Sequence, residues 1–579
     1  MSSSITGRGL YHDPLYGHIP LNPLIEQALD LVPVQRLRRV KQLGLLHLRY
    51  PGATHTRFAH SVGVYHLATR SIDELIRKRY TPKYSHWPRI TVAHKLAVQL
   101  AALFHDVGHG PMSHLWESFC RSRSLDEYNE WKHDRISYRL ISEGLEFGIK
   151  KEENMKRPDN DSLKVQGRDS EGAEDPKNDE AKVELDHIPK FIDYAKQTIK
   201  KRTDCTPEDL EILKPASIAN IAVGLPPLVG KDYLFLSNLI VSPFDCDRLD
   251  YFRRDSMFTG VETGRIDIWE IVSSLIIGTP KEGGRSLMVQ KPAAPAVETL
   301  LTIRDLIYRK VYYDSIHRGN EELMIRAMNE LVESYSMSEL WLCTDEELLA
   351  LLQRSKPLDR VADRIFFRQP YKPLPLIINE SQHLDGQSKK RISVLRTTER
   401  SKITEAETRA EKHFPDSTYR ALFSLSRVKF TSPKDYQAES IWNENLNKSE
   451  TLLEALPHLK IIWDSESGED PLIEELEANL SEYFIYVPPE ALEASIIEAR
   501  RFLDSIGATH EWGRNEVQQA LTKAINDDKL DWITIFASIL EEFNQLIQVG
   551  ETKKAVIMTE FENNMAGFLA NHFPSPSYS

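Results

Sequence analysis

The segment Leu103–His114 constrains the fold of this chain more than any other, because it holds three histidines and one aspartate within ten residues. Two glycines and Pro111 follow the doublet His105-Asp106, so the apolar helix before it must end there, and Pro111 suits the first position of the next helix. Side chains of consecutive helical residues diverge by about 100°, but at a helix end both can reach one cation beyond it. The doublet therefore predicts half of a metal site at the junction of two helices.

Two other segments offer the remaining ligands. Upstream, Arg57 and His60 share one face of a helix, and downstream Asp247, Tyr251 and Asp255 follow one helical stripe at intervals of four. Two imidazoles and two carboxylates suit Mn, Fe, Mg, Ni or Zn, and the sequence does not select among them. A single buried histidine is more often a hydrogen-bonded core residue than a ligand, but the ensemble favours a divalent metal site.

Apolar residues recur at spacings of three and four from Pro23 to about Phe147 and again from Leu185 to Leu331, which predicts helices. The charged, polar stretch between them predicts a solvated insertion. Beyond Pro370 the pattern is mixed, so we expect a mainly α fold with a smaller α+β C-terminal region. The expected parts are 1–149 and 185–376 for the two halves of a helical catalytic domain, 150–184 for the insertion, and 377–579 for a regulatory or oligomerisation region.

Some local features of the second half can also be predicted. Thr344-Asp-Glu-Glu347 has the pattern of a capping box that opens a helix. The basic stretch Lys389–Lys402 carries no aromatic residue, which favours a solvated flexible segment over a nucleic-acid surface. We also expect strands at Leu459–Ile462 and Tyr483–Val487 and helices at Ala491–Ile506 and Trp532–Val549.

The charge balance limits the partners of the chain. Lys and Arg number 73 and Asp and Glu 86, which gives a net charge of −13 and argues against a protein that coats nucleic acid or an anionic membrane. The four cysteines lie far apart in the sequence, as in a reducing compartment. Neither an apolar signal-peptide core nor an uninterrupted apolar run of about 18 residues is present, so we expect a cytoplasmic protein without membrane contact.

The order of His60, His105-Asp106 and Asp247 along the chain resembles the signature of the HD-superfamily metal-dependent phosphohydrolases. The resemblance implies an HD-domain helical core. Within this superfamily the chain is most similar to the dNTP triphosphohydrolases, whose animal members combine a SAM and an HD domain. We expect no SAM domain here, because the motifs begin near the start of the chain. The segments that carry this closer resemblance are Asp13–Ile19, Gln35–Gly44, Tyr50–Val64 and His105–His114.

The resemblance implies a role for each matching residue. His114 corresponds to the acid/base histidine of the family, and Glu117 stands where the family has an aspartate partner. Arg248 replaces a lysine, and Tyr308 and Asp314 replace histidines. The implied metal ligands are His60, His105, Asp106 and Asp247. The implied catalytic residues are His109, His114, Glu117 and His133, and the implied substrate contacts are Arg57, Gln42, Leu43, Arg248, Tyr251, Asp255, Arg304 and Tyr312.

A second part of the resemblance concerns regulation. Asp30, Gln35 and Arg38 match residues that read a guanine nucleotide between subunits, which implies an activating nucleotide (GTP or a dNTP) and a homo-oligomer, a dimer or tetramer. The alternative is that these residues form the polar face of a helix that turns Leu37 and Val40 inward.

These observations favour a metal-dependent dNTP triphosphohydrolase that releases a deoxynucleoside and triphosphate, in dNTP pool control or antiviral defence. An HD-type phosphodiesterase or nuclease acting on cyclic nucleotides or nucleic-acid ends is one alternative. A scaffold that senses nucleotides without turnover is another. Gln42, Tyr251 and Tyr312 favour a pocket for one nucleotide, so nucleic acid is a possible but not a favoured partner.

Overall fold

The computed structural model describes residues 9–144, 187–201, 205–281, 283–356, 359–366, 369–415, 420–425, 439–445, 448–456, 481–508 and 512–573. The insertion expected at 150–184 and the strand expected at Leu459–Ile462 lie outside the described residues. Within them the fold is mainly α with a few small sheets, as predicted. Every described helix is too short or too polar to span a bilayer.

The first hydrophobic core takes most of its residues from Ile19 to Ile365, the part of the chain that carries the HD motifs, and the rest from Ile441 to Ala455. A hairpin of strands Leu10–Asp13 and Gly17–Pro20 precedes its helices. The helices are Pro23–Leu29, Val32–Arg36, Arg57–Arg79, Val92–Phe104, His114–Arg123, Leu125–Trp131, His133–Ser142, Ile188–Lys200, Pro215–Ala222, Leu234–Asn238, Cys246–Thr259, Ile268–Ser273, Ala294–Ile307, Ser315–Leu331, Met337–Leu342, Asp345–Arg354 and Asp359–Phe366.

A second core lies in the C-terminal region and is built on a small sheet. Its central strand, Glu482–Val487, pairs antiparallel with Lys372–Pro373, Ile378–Asn379 and Leu422–Ser424. The strand and both helices that the sequence predicts here are present. The helices are Glu380–His383, Gly386–Thr398, Arg400–Glu411, Pro489–Ser505, Arg514–Asn526, Asp531–Ile547 and Glu551–Ala570.

One hairpin from the C-terminal half packs against the first core instead. Strands Glu439–Asn443 and Lys448–Thr451 extend the sheet of Leu275–Gly278 and Ser286–Gln290, through a parallel pairing of Ser286–Gln290 with Glu439–Asn443. Ile441, within this hairpin, is fully buried in the first core. A segment that follows the start of the second core therefore packs in the first core, and hydrophobic periodicity does not reveal this.

The expectation of a flexible segment at Lys389–Lys402 is wrong. The stretch forms most of the helix Gly386–Thr398 and the start of Arg400–Glu411. Ile392 and Leu395 are each 1% exposed, because their spacing of three places both on one buried face. The basic side chains occupy the other faces of the helix, so a high count of basic residues does not by itself indicate a flexible segment.

Candidate metal centre and active site

Three helices bring the four predicted metal ligands together. His60 lies in the first turn of Arg57–Arg79, His105 and Asp106 directly follow Val92–Phe104, and Asp247 is the second residue of Cys246–Thr259. Nε2 of His60 lies 2.9 Å from Asp247 Oδ1 and 3.7 Å from Asp106 Oδ2. Nε2 of His105 lies 3.4 Å from Asp106 Oδ1 and 3.7 Å from Asp247 Oδ1. We call these four side chains the ligand cluster.

The donor atoms of the ligand cluster fit a divalent metal. Atoms of His60, His105 and Asp106 lie within 4.8 Å of one another. Nδ1 of His60 lies 2.8 Å from Asp250 Oδ2, and Nδ1 of His105 lies 2.8 Å from the Ala102 carbonyl, so both Nδ1 atoms act as donors. The buried Nε2 atoms of both rings have no hydrogen-bond partner among the described residues. Each Nε2 faces the two carboxylates while its Nδ1 is engaged elsewhere, which is the arrangement that metal ligation through Nε2 requires.

The electrostatics of the ligand cluster favour a positive charge. Burial opposes the charged form of His60, but Asp247 and Asp250 outweigh burial and raise its pKa to about 10. Burial also raises the pKa of Asp106, yet His105 and Arg57 outweigh it and hold that pKa well below its usual range. A divalent ion held here would supply the positive charge that these carboxylates stabilise.

The turn after the HD doublet differs from the prediction. The next helix begins at His114 rather than at Pro111, because Met112 and Ser113 both have a φ of 60° and form a tight turn. Arg57 Nε donates to Ser113 Oγ at 3.0 Å, and Ser113 Oγ donates to the Lys41 carbonyl at 2.6 Å. The turn is therefore held against the helix that carries His60.

Asp345 fastens the same turn from the other side. This fully buried residue belongs to the predicted capping-box helix, whose N-cap Thr344 is confirmed. Its carboxylate accepts the backbone N–H of Met112 at 2.7 Å and that of Lys41 at 2.9 Å. One carboxylate thus joins the HD turn to the segment that leads into Gln42.

A second group of side chains adjoins the ligand cluster. It consists of His109, His114, Glu117 and His133, and we call it the acid–base cluster. Nδ1 of His114 lies 3.2 Å from Glu117 Oε2, so the predicted pair is present. Glu117 Oε1 accepts the backbone N–H of His133 at 3.0 Å and also contacts Nδ1 of that ring. His133 stacks on His109 with ring centroids 4.1 Å apart. Glutamate therefore makes the contact that the resemblance assigns to aspartate.

The protonation of the acid–base cluster follows from its contacts. Burial raises the pKa of Glu117, but His114 and His133 outweigh it and hold that pKa far below its usual range. Burial opposes charge on His133 too, yet Asp134 and Glu117 raise the pKa of that ring. Burial, together with Arg57 and His133, lowers the pKa of His109 well below 6.5, so this ring is neutral.

The predicted substrate contacts divide into two groups. Arg57 is 3% exposed, and its Nη1 lies 2.8 Å from Asp106 Oδ2, so its guanidinium is held at the ligand cluster. Its Nη2 donates to the backbone carbonyl of Gln42 at 3.5 Å, which places Gln42 and the neighbouring Leu43 on this side.

The predicted contacts Tyr251 and Tyr312 lie with Tyr308 in a second group of side chains, which we call the aromatic wall. Ring centroids of Tyr251 and His60 are 6.3 Å apart, and the Arg304 guanidinium lies 4.8 Å from the ring centroid of Tyr308. Tyr308 meets Tyr312 edge-on at 4.9 Å. Burial and Tyr308 raise the pKa of Tyr251, so its hydroxyl stays protonated.

Asp255 and Arg248 have intramolecular contacts of their own. Asp255 is 1% exposed, accepts from the Tyr312 hydroxyl and lies 2.8 Å from His55 Nε2. Its carboxylate thus positions two rings at the base of the aromatic wall. Arg248 Nε lies 3.8 Å from Asp245 Oδ2 at the start of the same helix.

Of the three predicted allosteric residues, two are in contact. Gln35 Oε1 accepts from Arg38 Nε at 2.8 Å, and the Arg38 guanidinium lies 3.6 Å from the ring centroid of Phe58. Asp30 is exposed at the C-terminus of the helix Pro23–Leu29. Asp314, which replaces a family histidine, caps the helix Ser315–Leu331.

The sequence did not single out several residues that the structure places behind the site. Asp250, which in isolation reads as part of a solvated face, is fully buried against His60. Arg36 is enclosed by backbone carbonyls, including that of His109 at 2.7 Å, and burial lowers its pKa to about 10. The only local signal was the Asp250–Arg254 spacing of four, which is typical of a helical ion pair.

Comparisons with known proteins agree with this geometry. A family model described as the HD associated region matches residues 267–412. Deoxynucleoside triphosphate triphosphohydrolase SAMHD1 of Danio rerio is 39% identical over 139 residues, which are 24% of this chain and 21% of that protein. The chain resembles the HD-domain phosphohydrolases. SAMHD1 of Homo sapiens is 37% identical, and the match covers 20% of it. The chain thus spans only about a fifth of the length of these vertebrate relatives.

Bacterial relatives are covered more fully. The uncharacterized protein YwfO of Bacillus subtilis is 25% identical over 321 residues, which are 55% of either chain. A crystal structure of a hypothetical protein from Aquifex aeolicus has a TM-score of 0.50 at 24% identity and covers 84% of this chain and 98% of its own. A phosphohydrolase from Bacteroides thetaiotaomicron has a TM-score of 0.51 at 20% identity and covers 83% of this chain and 100% of its own. Both solved structures show the shared fold.

Proposed function

We propose that this HD-type phosphohydrolase is a metal-dependent dNTP triphosphohydrolase, which converts a dNTP and water into a deoxynucleoside and inorganic triphosphate. The observation that carries the proposal is the convergence of the ligand cluster with the acid–base cluster. His109 Nε2 lies 3.3 Å from Asp106 Oδ1, and the ring centroids of His109 and His114 lie 5.0 Å apart. The rings of Tyr251 and Tyr312 favour a pocket for one nucleotide over an open nucleic-acid groove. The printed activity of the vertebrate relatives supports the same substrate class.

Binding requires local positive charge in an acidic chain of net charge −13. A dNTP carries about four negative charges at neutral pH, which charge-assisted hydrogen bonds and cations must balance. Arg248 and Arg304 both act electrostatically on Tyr251 of the aromatic wall, and Arg57 adjoins the ligand cluster. His109 is neutral, so its ring N–H is available as a donor to a phosphate oxygen.

The metal, held by His60, His105, Asp106 and Asp247, would polarise a phosphoryl oxygen and help to activate water. Attack of water on the α-phosphorus breaks the bond to the 5′-oxygen, and the leaving oxygen needs a proton. His114 supplies it as general acid, because its side chain is 65% exposed and faces solvent. Glu117 holds Nδ1 of His114, which directs Nε2 towards the substrate and stabilises the protonated ring.

Regulation by a nucleotide is part of the proposal. Arg38 stacks on Phe58, the residue next to Arg57, so a ligand on the Gln35–Arg38 surface would act on the first turn of the His60 helix. We infer that this surface binds an activating nucleotide, GTP or a dNTP, in a homo-oligomer, a dimer or tetramer, of a cytoplasmic enzyme.

The test is one incubation series with purified protein and Mn²⁺ or Mg²⁺. Substrates are each dNTP, each NTP, single-stranded DNA and a cyclic dinucleotide, with and without GTP, and products are separated by ion-exchange chromatography. Equal amounts of deoxynucleoside and triphosphate support the proposal. Shortened oligonucleotides or a linearised dinucleotide as the sole products overturn it in favour of a nuclease or phosphodiesterase. Asp106→Asn serves as the control against a contaminating phosphatase.

A further inference from the structure

A chain of buried charged side chains lies behind His60 and has no role in the proposed function. Asp250 Oδ2 lies 2.8 Å from Nδ1 of His60. Arg254 Nε donates to Asp250 Oδ2 at 2.8 Å, and its Nη2 donates to Asp250 Oδ1 at 3.0 Å. Arg254 Nη1 then donates to Asp13 Oδ2 at 2.9 Å. Asp250 and Arg254 are 0% exposed and Asp13 is 8% exposed.

The surrounding backbone is shaped for this chain. A Cβ on Gly63 would lie 2.0 Å from Asp250 Oδ1, so only glycine lets the His60 helix approach the carboxylate this closely. At the far end, Asp13 Oδ1 accepts the backbone N–H groups of Leu15 at 2.8 Å and Tyr16 at 3.2 Å. Every carboxylate oxygen of the chain therefore has a donor, which is the condition for burying charge without a large penalty.

The chain makes the two imidazole ligands unequal. His60 donates its Nδ1–H to a carboxylate, whereas His105 donates to the neutral carbonyl of Ala102. The bidentate contact with Arg254 fixes the Asp250 carboxylate, so it cannot rotate towards the ligand cluster and become a ligand itself. Asp250, Arg254 and Asp13 together carry one net negative charge behind His60, which strengthens the ring as a ligand.

We propose that Asp250, braced by Arg254 and Asp13, is a positioning residue that fixes the tautomer and orientation of His60 for metal binding. The inference rests on the metal site of the proposed function and adds the set of side chains that tunes its affinity. It also ties the N-terminal hairpin to the metal centre, because Asp13 ends its first strand.

The test measures metal affinity directly. Metal-stripped protein is titrated with Co²⁺ and with Mn²⁺, and binding is followed by the visible absorption of Co²⁺ and by calorimetry. Asp250→Asn keeps the size and an acceptor oxygen but removes the charge, so we expect a 10- to 100-fold weaker Kd and a changed Co²⁺ spectrum. Asp13→Asn leaves the contact of Asp250 with His60 in place and loosens Arg254, so we expect a smaller loss in the same direction.

A matched control comes from the second core. Glu407 is also 0% exposed, and it accepts the backbone N–H of Phe423 at 2.9 Å and pairs with Arg326 at 3.4 Å. Glu407→Gln removes a buried carboxylate without touching the ligand cluster, so its Kd should equal that of the unmodified protein. Thermal unfolding establishes that each variant is folded.

The outcomes separate the inference from the proposed function. If the unmodified protein binds neither ion, the metal site fails and the inference fails with it. If the unmodified protein binds metal and folded Asp250→Asn binds it equally well with the same spectrum, only the inference is overturned. If Asp250→Asn does not fold, Asp13→Asn decides: a weaker Kd supports the inference, and an unchanged Kd overturns it.

Discussion

The ligand cluster and the acid–base cluster contain similar side chains but treat their ring nitrogens differently. In each cluster, three side chains offer atoms within 4.8 Å of one another, so spacing alone marks both as possible metal sites. In the ligand cluster the Nε2 atoms of His60 and His105 both face the carboxylates of Asp106 and Asp247, at 2.9 to 3.7 Å. In the acid–base cluster His133 contacts Glu117 through Nδ1 and Asp134 through Nε2, at 2.9 Å. The ligand cluster thus presents two imidazoles and two carboxylates to one point, whereas the acid–base cluster groups its imidazoles around the single carboxylate of Glu117.

Exposure separates His114 from the two imidazole ligands. His60 is 0% exposed and His105 is 7% exposed, whereas the His114 side chain is 65% exposed. A metal ligand gains from exclusion of water, which strengthens electrostatic attraction, but a general acid must reach its substrate. The clusters adjoin at Asp106, whose Oδ1 lies 3.3 Å from His109 Nε2.

The largest effect is expected from Asp106→Asn. The change removes one of the two carboxylates of the ligand cluster and leaves the Arg57 guanidinium without its charged partner at 2.8 Å. We expect bound metal to fall to background in elemental analysis. We expect turnover to fall about 1,000-fold, because removal of a group that stabilises the charge of a transition state has effects of up to that size. His105→Ala should behave in the same way. Retained activity and metal in both variants would remove the metal assignment.

His114→Gln should separate turnover from metal binding. The substitution removes the proposed general acid but none of the four ligands, so bound metal should be unchanged. Turnover should fall about 100- to 1,000-fold, as general acid–base catalysis contributes effects of that order. The comparison between the clusters breaks if elemental analysis shows that His114→Gln loses its metal.

Glu117→Gln should give a smaller loss. The amide still contacts His114 and His133 but no longer supplies the charge that stabilises their protonated rings. We expect kcat to fall about tenfold with little change in KM, because positioning is largely kept. Steady-state kinetics checks this, and a loss as large as that of His114→Gln would show that His114 does not act without the charge of Glu117.

His94 is a buried imidazole outside both clusters, and it shows what burial does to a ring that has no strong charged partner. Burial lowers its pKa to about 4, despite the nearby charge of Asp209. The folded chain holds this ring neutral, whereas the unfolded chain takes up a proton below about pH 6.5. Stability should therefore be lost as pH falls from about 6.5 to about 4, by about 1.4 kcal/mol per pH unit from this group.

The variant His94→Asn isolates that contribution. Its Oδ1 can replace Nδ1, which accepts the backbone N–H of Thr91 at 3.3 Å, but asparagine does not titrate. Thermal unfolding at several pH values should show the stability advantage of the unmodified protein shrinking below pH 6.5. An advantage that is constant with pH would show that His94 titrates normally. Activity at neutral pH should not change.

Much of the fold and the centre of the site could be predicted from the sequence. The helix that ends at His105, the capping box at Thr344 and the convergence of His60 with Asp247 all follow from local patterns and from the family resemblance. The sequence predicts that the next helix starts at Pro111, but it starts at His114. The reason is the positive φ at Met112 and Ser113, which contacts with distant residues stabilise. A pattern of residue types does not contain such contacts.

Three features follow from the amino-acid sequence alone: the helical class, the junction that presents His105 and Asp106, and the chemical types available as ligands. These depend on interactions within a few residues, such as periodicity, caps and glycine breaks. Which polar residues stand behind the site depends instead on how the helices pack. Asp250 meets His60 across 190 positions and Arg254 meets Asp13 across 241. Helix packing selects those partners, and local propensity does not encode them.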